Sequence, residues 1–154
     1  QRKLGLAETC EGDVELGQAL LDCMAANHAD FTLTFRKLCA LSSTTSQADG
    51  SVRKLFEDSS AFDQWAVRWR VRLNSDHRSE FDRQRDMRRV NPAFIPRNHL
   101  VEKVIRSAED DDNLAPLDQL MAVLVAPYDD HPGSELLAIP PRLEEIVNQT
   151  FCGT

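Results

Sequence analysis

Residues 91–100 read NPAFIPRNHL, and the two prolines in that stretch decide how the rest of the chain is parsed. The residue before a proline is pushed out of the helical region, so Asn91-Pro92 stops a helix arriving from the arginine-rich run upstream. Pro96 suits the first turn of a new helix, where the missing N–H has no partner to lose. The stretch therefore predicts a helix stop, a corner and a helix start. Downstream, Leu100, Val101, Val104, Ile105 and Ala108 recur at helical spacing. Upstream, a polar helix runs through Phe81 and ends near Val90.

The same period appears further out. Leu16, Leu20 and Cys23 form one stripe, with Leu21 and Met24 beside it, and Asp30 is placed to cap a helix carrying Phe31, Phe35 and Leu38. The polar run 42–51, SSTTSQADGS, has loop composition. Ser60 with Asp63 fits a capping pattern ahead of a core line of Phe62, Trp65, Trp69 and Leu73. EDDDN, 109–113, reads as a solvated loop, because a helix C-terminus disfavours negative charge. Leu117, Leu120, Met121 and Leu124 define another helix, with Pro116 in its first turn and Pro127 beyond it. One short helix is expected around Arg142–Val147. No segment alternates with period two, and there is no internal repeat. The fold class is all-α, an irregular multi-helix bundle with a proline-punctuated C-terminal tail.

At 154 residues the chain is sized for a single helical domain over 1–154, burying roughly 68–70% of its unfolded surface without a metal or disulfide. The net charge of −7 argues against a general nucleic-acid binder, and no apolar run reaches the roughly 18–20 residues of a membrane span. The opening QRKLGLAET lacks both an initiating methionine and a signal core, so a fragment or processed chain is expected. Cys10, Cys23, Cys39 and Cys152 contain no CxxC pair and read as neither a zinc site nor a disulfide scaffold. Cys23 and Cys39 fall on apolar stripes.

No motif supplies complete catalytic chemistry. Arg68, Arg70, Arg72, Arg78, Arg83, Arg85, Arg88 and Arg89 could present a phosphate-binding face. Asp76, Glu80, Asp82 and Asp86 are interleaved with them at ion-pairing distances, which favours a solvated or partner-pairing face. The EDDD run lacks the spacing, glycine and distal glutamate of a calcium loop. Tyr128-Asp129-Asp130-His131 has no placed nucleophile and reads as a turn. The glycines are dispersed, so no phosphate-cradling loop is present.

MRRVNPAFIPRNHL nevertheless resembles a fingerprint near the C-terminal end of the selenoprotein O family, also called YdiU, through Met87, Asn91, Pro92, Arg97, Asn98 and Leu100. The likeness continues through Lys3–Leu6, through Asp30, Phe31, Thr32, Phe35, Arg36 and Leu38, and through Trp65, Arg70, Arg72 and Leu73. Pro127-Tyr128-Asp129 resembles the family's Asn-Pro-Tyr-Asp, with Ala126 departing from the asparagine. Pro140-Pro141 resembles a diproline whose following tryptophan is missing here. Cys152 sits where the family carries a cysteine or selenocysteine. The resemblance implies a protein adenylyltransferase with a kinase-like fold, which transfers AMP from ATP, with Mg or Mn, to protein hydroxyls.

The family's nucleotide- and metal-binding residues are expected upstream, so none is carried onto this chain. The piece is expected to be non-catalytic and without a cofactor of its own. Its expected partners are the upstream kinase-like core and the parent's protein substrates, with no nucleic acid and no membrane. Asn91, Pro92, Arg97, Asn98, Tyr128 and Asp129 are expected to be structural, and Cys152 to be a redox or tail residue. The expected setting is a bacterial cytoplasm, with a mitochondrial parent as the alternative. A second reading is a stand-alone helical interaction module that uses the Arg68–Arg89 face for a polyanion.

Overall fold

A computed structural model of the chain describes residues 1–147. Among them the fold is all-α, with seven helices: α1 Asp13–Ala26, α2 Phe31–Leu38, α3 Gly50–Arg53, α4 Ser59–Asn74, α5 Glu80–Arg88, α6 Asn98–Asp111 and α7 Ala115–Leu124. Short 3-10 turns form at Arg2–Leu4, Glu135–Ala138 and Leu143–Glu145. None of these helices is long and apolar enough to cross a membrane. Where the sequence predicts one domain, the packing forms two compact units, Gln1–Pro92 and Ala93–Thr154. The division falls inside NPAFIPRNHL. The proline break removes helical continuity there, and each side closes its own apolar cluster.

The Gln1–Pro92 unit is built around α4. Phe62, Trp65, Trp69 and Leu73 are all buried, as their spacing requires, and the two indoles stack with centroids 5.6 Å apart. Their polar edges are used as well. Trp65 Nε1 donates to the Leu16 carbonyl at 2.9 Å, and Trp69 Nε1 donates to the Leu4 carbonyl at 2.9 Å. These bonds tie α4 to α1 and to the N-terminal turn while leaving no indole N–H unpaired. Leu16, Leu20 and Met24 fill the α1 side, whereas Leu21 and Phe31 stay exposed. Asp30 caps α2 as expected, accepting from the Leu33 amide at 2.8 Å.

Gly5 closes the N-terminal turn with φ +78°, and a Cβ there would stand 2.6 Å from Met87 Sδ. Gly5→Ala is therefore expected to lower the stability of this unit by about 1–2 kcal/mol from the left-handed backbone alone, with crowding adding to it. Urea unfolding followed by tryptophan emission checks this; an unchanged midpoint would show that the turn can relax freely.

Several boundaries differ from the sequence reading. The cap of α4 is Asp58, which accepts from the Ser60 amide, and Ser60 lies inside the helix. The loop ends early, because Gly50 begins the one-turn α3. Pro96 lies outside α6, since Arg97 is the N-cap. Glu109, Asp110 and Asp111 are helical: α6 runs to a left-handed Asp112, φ 50°, whose amide and that of Asn113 both bond the Ser107 carbonyl. That C-terminal closure outweighs three exposed charges, each worth only about 0.3–1 kcal/mol against the dipole.

The second unit closes on Ala93, Phe94, Leu120 and Val123. Pro116 sits in the first turn of α7 as expected, and the predicted helix near Arg142 is the short turn Leu143–Glu145.

Candidate functional site

In the Gln1–Pro92 unit three of the family-like residues, Lys3, Arg36 and Met87, converge on Asn91. Its side chain is fully buried at 0% exposure, where α5 ends. Its backbone amide donates to the Met87 carbonyl at 3.0 Å, which closes that helix. Asn91 Nδ2 donates to the Lys3 carbonyl at 2.9 Å and to Cys39 Sγ at 3.4 Å. In return, Lys3 Nζ donates to Asn91 Oδ1 at 3.2 Å and to the Val90 carbonyl at 2.9 Å. Arg36 Nη1 reaches the Asn91 carbonyl at 3.1 Å. One amide thus joins the N-terminal turn, the end of α2 and the end of α5.

The electrostatics follow from this enclosure. Lys3 Nζ lies 5.6 Å from the centroid of the Phe35 ring and 5.9 Å from that of Phe31, a cation over aromatic faces. Burial pushes its pKa below the ordinary lysine value. Burial pushes the Cys39 thiol up, against the opposing hydrogen bond from Asn91, so Cys39 is a poor nucleophile at neutral pH. Cys23 is half-buried and Cys10 exposed.

The arginines of 68–89 are largely taken up by internal partners. Arg72 bridges Asp13 at 2.7 Å and Asp76 at 2.5 Å, and also donates to the Glu8 carbonyl. Arg70 pairs with Asp49 at 2.6 Å and donates to the Ser42 carbonyl. Arg83 is buried, with its guanidinium 5.5 Å from the Trp69 ring centroid and bonds to the Leu41 carbonyl and Met87 Sδ. Arg78, Arg85 and Arg89 all reach Asp86. Glu80 accepts from the Ser43 amide and from both the Ser42 and Ser43 hydroxyls. Those bonds, the Ser43 amide first, hold its carboxyl below the ordinary range.

In the second unit, Arg97 is buried at 7% exposure and Asn98 is exposed at the start of α6. Tyr128 is 45% exposed, and Asp129 is exposed in a turn whose amide bonds the Ala126 carbonyl. The structure does bring the two motifs of this unit together. The Ala93 and Phe94 amides donate to the Pro127 carbonyl at 2.8 and 3.2 Å, and His131 packs edge-on to Phe94. Pro92 is half-buried. Cys152 lies outside the described residues.

The Asn91 arrangement holds the N-terminal turn, the end of α2 and the end of α5 together. Among the described residues no group of three or more His, Cys, Asp or Glu side chains could hold a metal. The glycines with left-handed φ are Gly5, Gly12 and Gly133.

Over residues 1–125 the chain matches the family model "Protein adenylyltransferase SelO", and it belongs to the SelO family. It is 52% identical, over 100% of its own length, to the protein nucleotidyltransferase YdiU of Bradyrhizobium sp. strain BTAi1, covering 31% of that protein. The YdiU of Nitrobacter winogradskyi is 52% identical over 100% of the chain and 30% of the relative. That of Rhodopseudomonas palustris strain HaA2 is 48% identical over 99% of the chain and 31% of the relative. The chain thus spans about a third of the length of the curated relatives it matches.

Proposed function

We propose that this chain is a non-catalytic C-terminal helical part of a SelO-type protein adenylyltransferase, which packs on or regulates a kinase-like core located upstream. The parent would transfer AMP from ATP, with Mg or Mn, to protein hydroxyls, and a bacterial cytoplasm is its proposed setting. The observation that carries this reading is the Asn91 node, where family-like residues Lys3, Arg36 and Asn91 are all engaged internally. A polyanion-binding module has less support, because Arg70, Arg72 and Arg83 are held by partners within the fold.

The test is transfer of label from ATP carrying it on the α-phosphate, with Mg or Mn. The chain alone is expected to label no protein, while the parent labels itself or added protein. Labelling by the chain alone would overturn the non-catalytic assignment. Cys152 is proposed to form a redox link with a second thiol in the parent. The parent with Cys152→Ser should then lose any difference in labelling between oxidising and reducing conditions. An unmodified parent that shows no such difference would end that part of the proposal.

A further inference from the structure

Helix α6 is amphipathic, yet none of its residues is buried. Leu100 and Val104 pack against the small cluster of the second unit, while Val101 and Ile105 remain 37% and 44% exposed. Helix α7 repeats the pattern. Leu120 and Val123 are buried, while Leu117 and Met121 are 37% and 48% exposed, with Leu114 and Val125 more exposed still. At about 100° per residue, each exposed stripe lies roughly a quarter-turn beyond the core-facing residues, in the same rotational sense. The linker between the two helices, Asp112–Leu114, is short, which makes them antiparallel neighbours. In an antiparallel pair packed through their core faces, equal rotations about the two axes point to the same flank. Since Leu100 and Val104 pack against the cluster that holds Leu120 and Val123, the rotation places Val101, Ile105, Leu114, Leu117, Met121 and Val125 toward one flank, on a unit whose buried cluster among the described residues is Ala93, Phe94, Leu120 and Val123. Contiguous apolar surface of this kind marks an interaction face.

We infer that this α6–α7 flank is the docking face for an apolar surface of the remaining two-thirds of a SelO parent. The inference rests on reading the chain as part of a longer protein. Its occupant is argued from length: the relatives extend far beyond the matched third, and a unit with so small a core needs cover from elsewhere.

Amide hydrogen exchange in the full-length parent tests it, with two variants. Ile105→Glu with Met121→Glu is expected to speed exchange across α6 and α7 by at least about tenfold, because loss of the cover promotes local opening. Leu143→Glu, which changes an exposed residue elsewhere in this unit, is expected to leave those rates unchanged. Equal behaviour of the two variants would overturn the inference. Protection of the chain alone that rises with its concentration would identify a second copy as the occupant, and would equally overturn it. The labelling assay separates the two proposals. A parent that transfers AMP with an unprotected flank refutes only the docking, and a protected but inactive parent refutes only the adenylyltransferase reading.

Discussion

Asn91→Ala is expected to cost the Gln1–Pro92 unit about 1–3 kcal/mol, the range for leaving a buried partner unsatisfied. The substitution leaves the Lys3 carbonyl without its donor and removes an acceptor from the Lys3 ammonium. Both groups lie where burial already penalises charge on Lys3. Backbone preference is not the source of the loss, because any residue before Pro92 favours the extended region. The Arg36 bond also survives, since it goes to the main-chain carbonyl. Asn91→Asp makes the sharper comparison. A carboxylate still accepts from Lys3, but it cannot donate to the Lys3 carbonyl or to Cys39 Sγ, so an intermediate loss is expected. Trp65 and Trp69 are buried in this unit, and their emission in urea reports its unfolding. A loss under about 1 kcal/mol for Asn91→Ala would reduce the node to a proline-imposed corner.

The helices were legible because period 3.6 leaves a mark in composition. The α4 line Phe62, Trp65, Trp69, Leu73 and the Asp30 cap are local facts, each decided within a few residues. What stayed hidden is set by tertiary packing. EDSS at 57–60 offers several capping side chains, and only the extended backbone at Asp58 selects among them. Helix α5 is polar throughout apart from Phe81 and Met87, and it is Arg83 that turns inward with Met87 while Phe81 stays 75% exposed. A guanidinium over an indole can replace an aliphatic side chain in such a core, and hydropathy cannot register it. The Asn91 node joins residues 88 positions apart in sequence, so spacing gave no clue to it. Family likeness marked the three participants, Lys3, Arg36 and Asn91, without saying that they touch.

Arg72→Met should have a larger effect still, about 3–5 kcal/mol, the range for breaking a buried ion pair from one side. The Arg72 side chain is 13% exposed, and the Asp13 and Asp76 side chains only 1% and 5%, so water cannot replace the guanidinium at either carboxylate. The hydrogen bond from Arg72 is the main cause that holds the Asp13 carboxyl below its ordinary pKa, against burial, which raises it. A carboxyl with a depressed folded pKa stabilises above its unfolded value, about 3.9, and loses that contribution as pH falls through the folded value. With methionine at position 72, burial is the largest remaining cause, opposed by the Cys10 amide and the N-terminal charge, and the Asp13 carboxyl is expected to shift upward. Protonation of a buried carboxyl raised above its unfolded value favours the folded state, so the variant is expected to recover stability on mild acidification. The gap between the two proteins in urea should therefore be widest near pH 7 and narrow toward pH 4. Asp13→Asn placed in the Arg72→Met background should recover part of the loss at pH 7, because it removes the stranded charge. A gap that stays constant from pH 7 to pH 4, with no recovery in the double variant, would mean that Arg72 acts through its aliphatic packing rather than through Asp13.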